Sequence, residues 1–363
     1  MLRVLLNAVV LAQPMGGVRR HNAELLPRVA RALADTGGSL TIFEGKDASD
    51  LALPASVVRI RSSVPSHPVL ARATLEGRAL RKALDSARAD GRAFDLLHTG
   101  HLPVPRGLGG RYAITIHDLR ALEFEHTPLS RRLVARKLIG AAVERAAAVI
   151  TVSEHVRAQL LARFRLDGAR VHVVPNAADH FTPLERRPGP DAPLLHVGHL
   201  EPRKNLGLLL HALALDPGLP RLCLAGEAKH AEGARLGELA RELGVEKRVE
   251  FRGPFDDSEL PQLYAAAAAV VLPSKLEGFG IPALEAQRAR VPLAVSRAGA
   301  LVEVAGADTP NFDAQDAADC ARAIRAALCQ GPREIERAAQ ACARFTWDRS
   351  AQLLLQAWRS TQV

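Results

Sequence analysis

Residues 269–286 read AVVLPSKLEGFGIPALEA, and this order of apolar run, glycine loop and helix start decides the fold. Ala269, Val270, Val271 and Leu272 form the short apolar run that a buried parallel strand needs. Gly278 and Gly280 permit a tight turn with backbone N–H groups exposed. Pro282 suits the first turn of a helix, where its missing N–H is no loss. Such a helix start favours anions, because free amides and the macrodipole act together. Glu277 stands just before the helix and Glu285 about one turn into it, so both border one ligand. A diphosphate flanked by hydroxyl-seeking carboxylates suggests a nucleotide sugar.

Outward from this stretch the same alternation repeats. Strand-like runs at 194–198, 221–225, 248–252 and 293–296 are separated by helical segments such as 205–215 and 233–243. Upstream, runs at 4–10, 40–43, 57–60, 95–98, 113–117, 148–152 and 171–174 do the same. Alternation of this kind predicts parallel α/β sheets with right-handed crossovers. A chain of 363 residues exceeds the usual single core, so two domains are expected. Residues 181–193, with Pro183, Pro188, Pro190 and Pro193, read as a linker. The expected division is therefore 1–180 and 190–345, two Rossmann-like domains facing a cleft, with a last helix in 346–363.

Composition narrows the function. A hydrophobic fraction of 48% describes a soluble globular protein, and no apolar run approaches the roughly 18 residues of a membrane span. The N-terminal run looks superficially like a signal peptide, but it leads into Gly16-Gly17 and a helical pattern, as a buried first strand would. Cys223, Cys320, Cys329 and Cys342 show neither C-x-x-C nor zinc spacing and read as reduced, buried cytoplasmic thiols. The net charge of +9 invites nucleic acid or an anionic membrane. With 4% aromatics and no nucleic-acid-binding motif, nucleic acid is not the expected partner. Residues 128–139, PLSRRLVARKLI, are basic and partly amphipathic, either a peripheral contact for an anionic membrane or an ordinary solvated helix.

In open α/β sheets, ligands sit beyond the carboxyl ends of the strands. Gly16-Gly17 follows the first strand, as a close-approach loop or a plain turn. His117-Asp118 ends another, where His117 reads as functional and Asp118 as functional or a cap. Ser153 reads as an N-cap. Arg203 and Lys204 are adjacent cations at an expected helix start, where they oppose the macrodipole unless a diphosphate binds. Glu227 could bond a base or ribose, or stand as a solvated loop residue; Glu303 is similar. Gly278 to Ala283 fits a dinucleotide fingerprint, but Pro282 lies inside it and no acid ends the next strand at Ser296. Glu277 and Glu285 could form a hydrolytic pair, yet Arg203 and Lys204 suit an anionic leaving group better.

These residues resemble a known family. Val197-Gly-His-Leu-Glu-Pro-Arg-Lys-Asn205 and the Glu277-to-Glu285 segment look like the donor-site signatures of retaining glycosyltransferases of family 4, which have the GT-B fold. Met15-Gly-Gly-Val-Arg-Arg-His21, Thr115-Ile-His-Asp118, Thr151-Val-Ser153 and Val174-Pro-Asn176 extend the resemblance over almost the whole chain. It implies that Arg203 and Lys204 neutralise the departing diphosphate, that Glu277 bonds donor-sugar hydroxyls and that Glu285 bonds the ribose. It adds Gly198, Glu227 and the amides of Gly278, Phe279 and Gly280 to the donor side, with His117, Gly16 and Gly17 approaching from the N-terminal domain. It implies no metal and no cofactor, and a final helix that crosses back. Many members have Arg where this chain has His199, which raises the weight on Arg203. The expected activity is transfer of a hexose, from GDP-mannose or next a UDP-sugar, to a glycan or lipid-linked acceptor. A nucleotide-sugar epimerase on the same scaffold and a non-enzymatic sugar-binding module are the alternatives.

Overall fold

The computed structural model describes residues 1–12, 16–105, 111–124, 127–229 and 231–362. Met15 of the first glycine motif lies outside the described residues. The chain divides into two compact units, Met1–Asn176 with Trp347–Val363, and Ala177–Thr346.

The first unit is built on β1 (Arg3–Asn7), β2 (Ser39–Glu44), β3 (Val58–Arg61), β4 (Leu96–Thr99), β5 (Tyr112–Ile116), β6 (Ala148–Thr151) and β7 (Val171–Val173). They form one sheet in the order β3-β2-β1-β4-β5-β6-β7, every pair parallel. The second unit carries β8 (Leu194–Val197), β9 (Leu222–Ala225), β10 (Val249–Gly253), β11 (Ala269–Leu272), β12 (Leu293–Ser296) and β13 (Asn311–Phe312). Their order is β10-β9-β8-β11-β12-β13, again parallel throughout. Both sheets are wound in two directions from a central strand. The order reverses between β1 and β4 in one and between β8 and β11 in the other, which is where crevices open at the strand ends.

Continuous burial explains the unbroken apolar runs. Every residue of β4, β6, β8, β9, β11 and β12 is buried, because helices cover both faces of a parallel sheet. Leu209 and Leu213 from the helix Gly207–Leu215 and Ile324 from Ala317–Leu328 pack on Leu222, Leu224 and Val271. The N-terminal run is β1 itself, with Val4 and Leu5 wholly buried between β2 and β4. The strand stops at Asn7, three residues short of the expected end. The pair Asn311–Phe312 and the helix Leu301–Ala305, which carries Glu303, are too short to leave a period in the sequence.

The segment read as a linker belongs to the second unit. Phe181 stacks on Tyr264 with ring centroids 5.9 Å apart, and its carbonyl accepts from Arg288 Nε at 3.2 Å. Arg186 donates to the carbonyl of Ala267 at 2.8 Å. The changeover thus falls between Asn176 and Ala177 rather than within residues 181–193. The final helix, Trp347–Arg359, groups with the first unit. Trp347 and Trp358 are fully buried, Trp358 Nε1 donates to His98 Nδ1 at 2.6 Å, and Ser350 donates to the Pro175 carbonyl at 2.7 Å. Among the described residues, no helix is long and apolar enough to cross a membrane.

Candidate active site

At the reversal point of the second sheet, the loops after β8 and β11 meet. After β8 the chain passes through Gly198 at φ 130°, a conformation side chains avoid. A Cβ on neighbouring Gly226 would lie 2.0 Å from the Gly198 carbonyl oxygen, so the loops after β8 and β9 touch backbone to backbone. Pro202–Lys204 then form a 3-10 turn, ended by Asn205 in the left-handed region. Asn205 Nδ2 donates to the carbonyls of Pro273 (3.1 Å) and Ala314 (2.8 Å), tying this turn to the end of β11.

Glu277 sits at the centre. Lys204 Nζ donates to Oε1 at 2.5 Å, Arg203 Nη1 to Oε2 at 3.1 Å and Ser274 Oγ to Oε1 at 2.9 Å. Burial alone would raise its carboxyl, but Lys204 and Arg203 reverse that and hold it down at about 2. Arg203 also reaches Glu201 at 2.7 Å. Two cations and two carboxylates therefore balance in one cluster. The backbone of Glu277 is held by the following loop: Ala300 N donates to its carbonyl at 3.0 Å, and a Cβ on Gly299 would meet that oxygen at 2.2 Å. Below the cluster, His196 is buried, donates through Nδ1 to the Val271 carbonyl at 3.2 Å, and is kept neutral by burial and Lys204, its pKa near 4.

The helix Ile281–Arg288 starts where the sequence placed it, with Pro282 in its first turn and Gly280 left-handed at φ 95°. The Phe279 ring packs edge-on against Phe345 in the interior, so only its backbone is left to meet a ligand. Glu285 is 6% exposed. Tyr264 donates to its Oε2 at 2.7 Å, and His180 Nε2 lies 3.0 Å from Oε1. Glu227, by contrast, is exposed, pairs with Lys229 and lies 3.9 Å from His199 Nδ1.

In the first unit, the reversal point carries a different chemistry. Gly16 precedes the helix Gly17–Ala34 at φ 51°. His117, just past β5, meets the buried His21 edge-on at 4.8 Å. His21 Nδ1 lies 2.7 Å from Asn176 Oδ1. His98 Nδ1 accepts from Trp358, so its Nε2 carries the proton shared with Thr115 Oγ1 at 2.9 Å. Burial drives His21 down to about 4 and His98 to about 3, and puts His117 well below its ordinary value. With Asn7, Asn22 and Thr115, these three neutral imidazoles line a small recess. Asn7 is held in place by donating to the buried Glu76, which also lies 2.7 Å from His101 Nε2.

Residues 184–343 match the family model for glycosyl transferases group 1, and residues 15–180 match that for glycosyltransferase family 4. The chain belongs to glycosyltransferase family 4. A D-inositol 3-phosphate glycosyltransferase from Mycolicibacterium vanbaalenii is 30% identical over 291 residues, 74% of this chain and 62% of that relative, which is less than two thirds of its length. An O-antigen chain mannosyltransferase B from Escherichia coli is 27% identical over 329 residues, 84% of this chain and 85% of that one. A sucrose-phosphate synthase from Thermosynechococcus elongatus superposes with a TM-score of 0.78 at 22% identity, covering 99% of this chain and 98% of that chain. The family 4 chain thus has the GT-B architecture of two parallel-sheet units.

Within this family 4 chain, Arg203, Lys204 and Glu277 come together with the helix start at residues 278–280, and Glu285 follows one turn on. Contrary to the expected placement, Arg203 and Lys204 lie in a 3-10 turn ahead of the α-helix, which begins at Gly207. Glu277 and Glu201 balance them. Asp118 caps, accepting from Arg120 N at 3.1 Å, and Ser153 Oγ accepts from Val156 N at 3.2 Å as an N-cap. His98 in the first unit and His180 and Tyr264 in the second carry no sequence signal of their own, each meeting partners distant in sequence within its own unit.

Proposed function

We propose that the protein is a retaining, metal-independent glycosyltransferase that moves a hexose from a nucleoside diphosphate to a glycan or lipid-linked acceptor. The single observation that carries this reading is Glu277 shared between Lys204 and Arg203 beside the start of a helix. A sugar diphosphate would draw both cations toward its oxygens and leave the Glu277 carboxylate free to accept the sugar's hydroxyls. Amides at residues 278–280 would add donors at the same place. The C1–O bond to the diphosphate breaks with its electron pair on the phosphate, where Arg203 and Lys204 stabilise the charge. The acceptor oxygen bonds C1 on the same face, and its proton passes to the departing phosphate.

GDP-mannose is the favoured donor and a UDP-sugar the next. The mannosyltransferase name of the Escherichia coli relative supports mannose and a glycan acceptor, whereas the inositol phosphate of the other relative's name supports a polyol. Four free cysteines fit a cytoplasmic enzyme, three of them buried as expected and Cys329 exposed at the end of its helix. On the helix Leu129–Arg145, Leu129 (72% exposed), Leu133 (55%), Val134 (57%) and Leu138 (38%) stand out among Arg131, Arg136 and Lys137, supporting peripheral contact with an anionic membrane.

A thermal-shift panel of GDP-, UDP- and ADP-sugars with and without EDTA tests the donor. Stabilisation by none of them sinks the reading, and stabilisation abolished by EDTA sinks metal independence. Incubation with donor alone separates the epimerase, which would yield free epimerised sugar nucleotide, from the transferase, which needs an acceptor.

A further inference from the structure

Behind the Glu277 cluster lies a second built arrangement that the reaction chemistry does not use. Glu285, on the helix Ile281–Arg288, is nearly sealed from solvent, and its two oxygens face different partners: Tyr264 on Oε2 and His180 on Oε1. Tyr264 is fully buried on the helix Leu260–Ala266. Burial and the adjacent Glu285 carboxylate push its phenol well above the ordinary value, so it stays protonated as a fixed donor. His180 stands only three residues past the changeover between the units. It is held there by its neighbour Phe181, stacked on Tyr264 and bonded through its carbonyl to Arg288.

A carboxylate offers about four acceptor sites. Tyr264 donates to one oxygen at 2.7 Å and His180 Nε2 stands 3.0 Å from the other, which restricts the plane of the group and, among the described residues, leaves acceptor capacity on each oxygen. That remaining pair of acceptors matches a vicinal diol, whose two hydroxyls need two acceptors held at a set angle. A carboxylate free to rotate would lose that match, and ordering it on binding would cost rotamer entropy.

Resting on the reading of Glu285 as the ribose ligand, we infer that His180 and Tyr264 are positioning residues that hold the Glu285 carboxylate in the orientation required by the ribose 2′,3′-diol. His180 directly precedes the segment expected to be a linker, and Phe181, the first residue of that segment, packs on Tyr264. Neither residue touches the reacting atoms, so the effect falls on donor binding and not on the chemical step.

The test compares the affinity of the full chain for GDP and UDP with that for their 2′,3′-dideoxy forms. The wild type is expected to prefer the ribose form by about tenfold or more, the scale of bonds to an ionised group. His180→Ala and Tyr264→Phe should each shrink that preference severalfold and raise donor KM, with kcat at saturating donor changing less. His180→Gln, which keeps an N–H donor, should restore most of the preference, and melting temperatures check that each variant is folded. Wild-type discrimination that survives undiminished in folded His180→Ala overturns the inference while leaving Glu285 as the ribose ligand. A wild type that binds ribose and dideoxyribose forms equally overturns the ribose reading itself, and the inference with it.

Discussion

The two units share a sheet plan and differ in what they place at the reversal point. At the β1–β4 reversal stand two buried histidines, His21 and His98, and the half-buried His117, all neutral, with Asn7, Asn22 and Thr115. Between β8 and β11 stand Arg203, Lys204, Glu201 and Glu277 in a balanced ion cluster. The same backbone crevice therefore carries two chemistries, neutral imidazoles and amides in one unit and balanced charges in the other. Glu277 offsets the cost of holding the two cations together, since a buried cation with no partner would be strongly disfavoured.

Removing a cation from the second cluster should have the largest effect. Lys204→Ala is expected to lower turnover by about 100- to 1,000-fold, the scale of one lost electrostatic stabiliser, with the circular dichroism spectrum unchanged. Glu277→Ala should be comparable, because it frees the cations but removes the sugar's acceptor. Near-normal transfer in either would break the contrast between the units.

Packing gives the next effect. Trp358→Ala removes a fully buried ring that also caps His98, and should destabilise the first unit by about 3–5 kcal/mol. Urea denaturation followed by hydrogen exchange would show whether β4 and β5 lose protection before β8 and β11 do.

Acid should separate the units more gently. Below pH 6.5 the unfolded chain binds protons on His21 and His98, while the folded chain resists until about 4 and about 3. Stability therefore falls as pH drops through that window, by about 1.4 kcal/mol per pH unit for each such histidine. Glu277 behaves oppositely in range: its contribution is complete above pH 4.5 and lost only as pH falls toward about 2. Denaturation midpoints between pH 7 and 4.5 should thus drop mainly through the first unit, with His196 and the half-buried His199 as the counterparts in the second. A flat profile over that interval would remove the idea that the recess is neutral by construction.

The smallest effect is expected at the surface. Binding to phosphatidylglycerol vesicles should weaken severalfold between low and physiological salt, because screened charges carry it. Replacing Arg136 and Lys137 by glutamate should abolish it with little change in transfer to a water-soluble acceptor. Equal binding to phosphatidylcholine vesicles would count against a charge-led contact.

Much of this was legible along the chain. The strand–loop–helix order around Glu277 survives with Pro282 in the first turn, since local steric rules decide it. Strand runs were readable because a parallel sheet buried on both faces demands unbroken apolar residues. What failed was local reasoning about residues whose partners lie elsewhere. Arg203 and Lys204 stand out in the sequence as cations at a helix start, whereas they lie in a 3-10 turn ahead of the α-helix and are balanced by Glu277 and Glu201. The prolines of 181–193 suggested an idle linker, and no rule of composition could reveal Phe181 on Tyr264 or His180 beside Glu285.

The sequence alone determined the two α/β units, the sites at their strand ends and the residue types gathered there, because steric and hydrophobic periods act over a few residues. Only the tertiary structure decided which charge neutralises which. Glu277 meets Lys204 across 73 positions, and Trp358 meets His98 across 260. Contacts over such distances follow from how sheets and helices stack, and stacking leaves no period in the chain to read.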